Sequence, residues 1–323
     1  MTVFILRRMI ESVFVIFAIT LIVYFGVHLI GNPIDVLVGP DCAQACRAEA
    51  VARLGLDRPV WEQYLTFLSN LLRGDLGRSY AFGVPALGIV LERLPATLEL
   101  AAVAMLMAVV IGFPLGVWAG LRRESAAGRL IMAISVLGFS IPTFWIGILL
   151  IIVFAVELGL LPVTGRGQTA TLLGASFSFL TIDGLKHLLL PAATLALYKI
   201  SLIIRLTRNG ATEVLLTDYI RFARAKGLRP ARVVGLHAMK NIMIPIVTVL
   251  GIEFGTLIAF AVVTETIFSW PGVGKLIIDS IKTLDRPVII AYMLVTAILF
   301  VTINLVVDIL YSLLDPRVRL ESA

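Results

Sequence analysis

Three ionisable side chains lie within or close to stretches that are otherwise apolar: Lys199, Glu253 and Asp308. A charge inside a lipid bilayer is costly, and it usually faces the interior of a helix bundle or a water-filled cavity. Lys199 and Glu253 therefore either line a polar cavity or pair with each other, because pairing avoids leaving one charge alone in a medium of low dielectric constant. Asp308 lies near the end of its stretch, where structural pairing or an interfacial position is expected.

The only two cysteines, Cys42 and Cys46, are four positions apart in a polar segment. A metal site needs more ligands than this segment provides, so we predict no metal. A disulfide would require Cα atoms within about 7 Å and suitably directed Cβ atoms. Adjacent turns of a helix approach this distance with imperfect geometry, which leaves both a disulfide and two free thiols open.

The sequence GVGKL at residues 272–276 is similar to the end of a phosphate-binding loop, but it departs from that motif twice. Position 269, where the first glycine belongs, is Ser269, and no Ser or Thr follows Lys275. The chain also has no HExxH sequence and no convincing arrangement of a serine or cysteine nucleophile. We therefore predict a chain that is not an enzyme and binds no cofactor of its own.

The segment from Arg205 to Pro245 is a basic insert between apolar stretches. A solvated loop and a docking site for a partner both fit its composition, and its pattern predicts two short helices around a turn. The insert has eight basic residues, Arg205, Arg208, Arg221, Arg224, Lys226, Arg229, Arg232 and Lys240, against two acidic ones, Glu213 and Asp218.

In the first of these short helices, Leu216, Ile220 and Ala223 recur at helical spacing and should share one face. Gly227 follows a basic last turn, and glycine is the favoured residue just past a helix end. Pro230 then suits the first turn of the second helix. The polar side chains Asp218, Arg221 and Arg224 should point away from the apolar face.

The elements that carry these residues are apolar stretches long enough to cross a bilayer. Hydrophobic residues make up 59% of the 323-residue chain and the mean hydropathy is +1.00. A span needs about 20 apolar residues, and six segments fit this requirement. The sequence predicts an all-α, polytopic membrane protein with six transmembrane helices, over residues 9–30, 100–121, 130–156, 188–204, 242–264 and 288–307.

The net charge of +6 reflects topology rather than nucleic-acid binding. If the N-terminus is cytoplasmic, fifteen basic residues lie in short segments on that side, and eleven are spread over the longer segments on the other. This bias follows the positive-inside rule, so both termini should be cytoplasmic. The first apolar run is too long for a typical cleavable signal and should remain as an anchor.

The segment from Gly31 to Pro95 is too long for a simple connector, and it should form a helical cap on the exterior face. One helix is predicted to end near Gly55, and a second, with Trp61 and Tyr64 at helical spacing, should end near Gly74. The predicted division is an N-terminal transmembrane helix (1–30), an exterior helical segment (31–95), a main transmembrane domain (96–315) that includes a cytoplasmic loop (205–241), and a cytoplasmic tail (316–323).

Several ordered motifs resemble the permease subunits of bacterial ATP-binding-cassette importers, and more narrowly the dipeptide/oligopeptide/nickel family, in the subunit type with an ILRR opening. The resemblance covers nearly the entire chain. It is carried by DYIRFARAKGL and HAMKNIMIPIVTVLG in the insert, and by LGLDRPVWEQY, LRGDLGRSY, LERLPATLEL, LPAATLAL, TETIFSWPGVGKL and INLVVDILYSLLDPRVR elsewhere.

The resemblance implies a type I importer fold in which the insert forms a coupling helix seated in a groove of a cytoplasmic ATPase. The superfamily signature is Glu-Ala-Ala, three residues, then Gly; this chain keeps only Ala223 and Gly227 of it. By resemblance these two small residues would allow close helix approach and Leu228 would fill an apolar contact. The polar contacts to the ATPase would come from Asp218, Arg221 and Arg224.

The resemblance also implies partners and cargo. The partners would be a second homologous permease, two ATPases that use ATP and Mg²⁺, and an extracytoplasmic solute-binding protein, at the bacterial inner membrane. The cargo would be di- or oligopeptides; nickel complexes, glutathione or another small solute are the alternative. Lys199 and Glu253 depart from the residues usual in the family, so both are candidates for biasing selectivity. An intramembrane enzyme and a proton-driven transporter are disfavoured.

Overall fold

A computed structural model describes residues 2–29, 48, 51–52, 57–172, 174–229 and 232–314. Two segments have the wider π-helical winding, Ile151–Glu157 and Val233–Ala238. The other elements, in chain order, are α1 (Thr2–Leu29), α2 (Val60–Leu72), α3 (Ala86–Leu121), α4 (Ala126–Ser140), α5 (Thr143–Leu150), β1 (Ala170–Leu172), β2 (Ala175–Phe177), α6 (Ile182–Leu215), α7 (Asp218–Ala225), α8 (Met239–Ile267), α9 (Val273–Lys282) and α10 (Arg286–Leu314).

Five of these helices, α1, α3, α6, α8 and α10, are long and apolar enough to cross a membrane. The helices α4 and α5 with the π-helical segment after them would add a sixth span if they are taken together. The predicted helical, multi-pass membrane protein is thus confirmed. One addition is a small antiparallel hairpin of β1 and β2, in which Ala170 pairs with Phe177.

The third span differs from its prediction in shape. The sequence predicts one continuous span over residues 130–156, whereas the structure bends by 103° between α4 and α5. The bend lies at Ile141 and Pro142, where Ile141 is extended at φ −85° and ψ 130°. A residue before proline is sterically pushed out of the helical region, so the chain breaks here and restarts at Thr143.

The 34-residue helix α6 lies at the centre of the bundle and packs along α3. The contact is close because glycines of α3 face α6: a Cβ at Gly116 would overlap Thr207, and one at Gly120 would overlap Ala211. Small residues at such a contact let two membrane helices approach closely. Because α3 packs on one side of α6, the side that carries Lys199 faces α8.

The C-terminal ends of α3 and α6 meet at one end of the bundle. Gly120, at the end of α3, lies against Ala211 of α6, and α6 leads directly into α7. At the start of α1, Arg8 pairs with Asp308 of α10, with Nε and Oδ2 3.2 Å apart. The pairing expected for Asp308 is therefore present. We refer to this end as the α7 end.

The segment between the first two spans is described in part. Helix α2 ends at Leu72, and Gly74 follows with φ +76°, which confirms the second predicted helix and its stop signal. Asp285, at the start of α10, holds the next loop, because its carboxylate accepts hydrogen bonds from Ser79 Oγ and from the backbone N–H of Tyr80. Cys42 and Cys46 lie outside the described residues, so the disulfide stays open.

Candidate functional site

A cavity of about 370 Å³ lies between α6 and α8 and reaches the start of α5. Its wall combines apolar and aromatic side chains with one cation, one carboxylate and three hydroxyls, which is the composition typical of a site for a small polar ligand. The lining residues are Thr143, Leu195, Tyr198, Lys199, Glu253, Thr256, Leu257 and Phe260.

Lys199 and Glu253 both line this cavity and also pair with each other, so the two interpretations left open by the sequence hold together. The Lys199 ammonium donates to Glu253 Oε2 and, at 2.9 Å, to Thr256 Oγ1. The Thr256 hydroxyl is also within 3.1 Å of Glu253 Oε2. The Lys199 side chain is 9% exposed and that of Glu253 is 23% exposed, so the carboxylate is the more accessible partner.

The short helix α7 buries one face against the rest of the chain. Ile220 is fully buried and Ala223 is 7% exposed, and both pack with Val233, Ala238 and Ile242. Ala223 therefore contacts this chain's own core. The prediction for Leu216 was wrong, because Leu216 follows the last residue of α6 and is 55% exposed.

The opposite face of α7 is exposed and carries polar and aromatic side chains. The Asp218 and Arg221 side chains are 97% and 67% exposed and are 3.4 Å apart. Phe222 is 62% exposed, and the Lys226 ammonium lies 4.6 Å from its ring centroid. Arg224 is exposed as well. Aromatic and arginine side chains are enriched at protein interfaces, so this face is a candidate contact surface.

The end of α7 is fixed by Gly227. This residue has φ +76°, and its N–H donates to the carbonyl of Arg224 at 2.9 Å while the N–H of Leu228 donates to that of Ala223 at 3.4 Å. Two such hydrogen bonds form the Schellman motif that closes a helix. Leu228 packs against the same apolar cluster as Ala223, so the predicted stop signal is present.

Sequence reasoning missed a buried carboxylate, Glu265, at the other end of α8. It is fully buried, and it accepts hydrogen bonds from Thr97 Oγ1 at 2.5 Å and from the backbone N–H of Lys275 at 2.9 Å. A carboxylate is favourable at a helix N-terminus, and here it holds the start of α9. The Lys275 side chain is paired with Asp279 at 2.7 Å. The motif TETIF, which contains Glu265, does not indicate this contact.

A second missed residue is Glu99 of α3, whose carboxylate is fully buried and pairs with Arg166 at 2.6 Å. The other oxygen of Glu99 accepts the backbone N–H groups of Ser178 and Phe179 at 2.6 and 2.8 Å. Glu99 thus holds the hairpin loop against the bundle. Within the described ranges, no group of three or more His, Cys, Asp or Glu side chains is placed to hold a metal ion.

Two family models match the sequence. The first, described as the binding-protein-dependent transport system inner membrane component, matches residues 112–320. The second, the N-terminal part of a binding-protein-dependent transport system membrane component, matches residues 1–101. The two matches together include the cavity, the α7 segment and both missed carboxylates.

Individual proteins are similar over nearly their whole length. The chain is 43% identical to the di/tripeptide transport system permease protein DppB of Pseudomonas aeruginosa (strain UCBPP-PA14), and 98% of each chain is covered. It is 39% identical to the dipeptide transport system permease protein DppB of Escherichia coli (strain K12), again with 98% coverage of each. A chain of the MetNI methionine ABC transporter, solved in inward-facing conformations, has the same fold, with a TM-score of 0.54, 18% identity, and coverage of 70% of this chain and 96% of that one.

Proposed function

We propose that this chain, which belongs to the family of binding-protein-dependent transport system inner membrane components, is a permease subunit of an ATP-driven peptide importer. The observation that carries the cargo assignment is the near full-length similarity to permeases named for di- and tripeptides. The cavity between α6 and α8 fits this role, because its wall carries a Lys199–Glu253 pair and hydroxyl groups that a small charged solute can contact.

In this proposal α7 is the element that couples transport to ATP hydrolysis. Its buried face anchors it to the ends of α6 and α8, so a shift of α7 moves both helices as one body. Its exposed face, with Asp218, Arg221, Phe222 and Arg224, supplies the contact to an ATPase. Ala223 and Leu228 support the helix from behind, and Gly227 closes it.

The proposed assembly contains a second, homologous permease, two cytoplasmic ATPases and an exterior solute-binding protein. ATP and Mg²⁺ act on the ATPases, and this chain supplies half of the pathway through the bacterial inner membrane. The α7 end, with both chain termini, faces the cytoplasm. Arg221, Arg224 and Lys226 lie in or directly after α7, and these basic residues support this orientation through the positive-inside rule.

Uptake measurements test the proposal. The chain is co-expressed with the permease, ATPase and binding proteins encoded beside it, and the complex is reconstituted into proteoliposomes. We expect uptake of Ala-Ala to require ATP on the α7 side and to stop when ATP is omitted. Uptake driven by a proton gradient without ATP would contradict the proposal, and accumulation of glutathione or a nickel complex in place of dipeptides would favour the alternative cargo.

Phe222→Ala is expected to weaken ATPase binding to the permease by about tenfold or more, because truncating an exposed aromatic anchor at an interface costs at least ~1.4 kcal/mol. Co-purification at graded ATPase concentrations measures the loss. Phe14→Ala is the matched control, since Phe14 is 74% exposed on α1 and far along the chain from α7. Equal ATPase binding by the two variants would show that Phe222 does not contribute to the contact.

Lys199→Leu is expected to change selectivity, because it leaves the Glu253 carboxylate without its ammonium partner in the cavity. Uptake of Lys-Ala should rise relative to Asp-Ala by about tenfold, since opposite charges attract more strongly where water is scarce. In the double variant Lys199→Leu, Glu253→Leu the ratio should return towards that of the unmodified chain. A Lys199→Leu ratio equal to that of the unmodified chain would place the pair outside the pathway.

A further inference from the structure

A stacked aromatic pair connects the cavity to a second cation. The rings of Phe139 on α4 and Tyr198 on α6 have centroids 4.7 Å apart at an interplanar angle of 24°. The Lys199 ammonium lies 5.2 Å from the centroid of the Tyr198 ring, and the Arg205 guanidinium carbon lies 4.1 Å from that of Phe139. Tyr198 and Arg205 are seven positions apart, so they lie on the same face of α6, two turns apart.

Arg205 has no hydrogen-bond acceptor for its Nε among the residues that the structure describes. Its Nε is buried and has no hydrogen-bond partner within the described part of the chain, and no described carboxylate lies within ion-pair distance of its guanidinium. Buried polar groups are nearly always hydrogen-bonded. The ring of Phe139 holds the guanidinium by a cation–π contact. Its terminal N–H groups form no hydrogen bond or ion pair with a described residue, so they can donate to a carboxylate from another molecule.

Glu253 has one carboxylate oxygen that no described residue contacts by a hydrogen bond, so it can act as an acceptor. Its contacts with Lys199 and Thr256 both use Oε2, so Oε1 has no hydrogen-bond partner among the residues described. Because Glu253 lines the cavity, Oε1 can accept a hydrogen bond from an ammonium group there. Lys199 fixes the carboxylate in place through Oε2.

The spacing of Lys199 and Arg205 along the axis of α6 suits a short peptide. Lys199, which holds Glu253, is six positions before Arg205 on α6, about 9 Å along the helix axis. An extended chain spans at most ~3.3–3.6 Å per residue, so the two charged termini of a di- or tripeptide match this separation. A longer peptide would have to bend to place both termini.

We propose that a di- or tripeptide binds this chain with its terminal ammonium on Glu253 Oε1 and its terminal carboxylate on Arg205, stacked beside Phe139 and Tyr198. The carboxyl end of the peptide therefore lies nearer the α7 end. This inference rests on the proposed peptide cargo and adds to it the residues that recognise the termini and the direction of the bound chain.

Photolabelling without ATP tests the orientation. The full chain, with the subunits that purify with it, is placed in lipid nanodiscs and exposed to dipeptides with a photoreactive side chain at the first or second position. The first-position probe should label α8 around Thr256 and Phe260, and the second-position probe should label residues around Phe139 and Arg205. The reverse pattern, or identical labelling by both probes, would overturn the assignment.

Competition against these probes tests the two contacts separately. Ala-Ala should compete about tenfold better than either Ala-Ala amide or N-acetyl-Ala-Ala, because each blocked peptide loses one charge-assisted contact. Arg205→Gln should make the acid and the amide equal while the penalty for acetylation remains, and Glu253→Gln should do the converse. Arg205→Lys keeps the charge and should retain part of the preference for the acid.

Arg208→Gln is the matched control, because Arg208 also has a buried Nε without a partner in the described ranges but lies one turn further along α6. It should keep both preferences. An amide that competes as well as the acid in the unmodified chain, or an Arg205→Gln variant that still prefers the acid, would overturn the role of Arg205. Failure of Ala-Ala to compete at all would contradict the peptide cargo itself, whereas ATP-independent uptake contradicts only the coupling.

Discussion

Glu99→Ala is expected to destabilise the chain by about 3–5 kcal/mol, because it leaves a partly buried Arg166 without its partner. The Glu99 carboxylate is fully buried and the Arg166 side chain is only 14% exposed. The substitution also removes the acceptor for the N–H groups of Ser178 and Phe179. The change is measured by unfolding the protein in detergent with heat or denaturant and recording the fraction that stays monodisperse.

A double-substitution cycle separates the ion pair from the rest. Arg166→Ala together with Glu99→Ala should be less damaging than the sum of the single substitutions, because removing both partners leaves no buried charge uncompensated. Glu157→Ala is the control, since Glu157 is an exposed acidic residue, and it should change stability by less than about 0.5 kcal/mol. Additive losses in the cycle would show that the two charges do not interact.

The spans and α7 could be predicted because their signals are local. Runs of apolar residues and the helical spacing of Ile220 and Ala223 are read directly from neighbouring positions, and Gly227 acts within its own turn. The bend at Ile141 and Pro142 had a local cause as well, but apolar length alone suggested a single span. Proline does not always break a span, since Pro114 and Pro191 lie inside continuous helices, where neighbouring groups can satisfy the freed carbonyls.

The buried carboxylates could not be predicted because their partners are distant in sequence. Glu99 meets Ser178 and Glu265 meets Thr97 only after the helices have packed. The sequence around a single acidic residue in or beside an apolar stretch does not indicate which backbone N–H groups will donate hydrogen bonds to it. The Lys199–Glu253 pair could be predicted, because each of two opposite charges in apolar stretches needs a partner or a polar cavity. Arg205 looked like one more residue of a basic loop.

Gly227→Val is expected to lower ATP-coupled uptake by about tenfold or more while the chain still inserts into the membrane. Gly227 has φ +76°, and a left-handed conformation costs a residue with a Cβ about 1–2 kcal/mol, with valine's branched side chain adding crowding. A Cβ at this position would meet open space, so the penalty comes from the backbone. If the backbone relaxes to relieve that strain, the two hydrogen bonds that close α7 break and Leu228 leaves the core. The end of α7 is then no longer held rigidly, so a movement of α7 is transmitted less well to the spans.

Two further substitutions isolate the backbone effect. Gly227→Asn should retain most of the coupled uptake, because asparagine accepts positive φ more readily than other residues with a side chain. Gly235→Val adds the same side chain in the next helical segment, also into open space but without a positive φ, and it should reduce coupling much less. Equal losses for Gly227→Val and Gly235→Val would mean that added bulk on this surface, rather than the left-handed turn, disturbs the contact. Retention of full coupling by Gly227→Val would show that transport does not depend on how α7 ends, and the insert would then be a solvated loop.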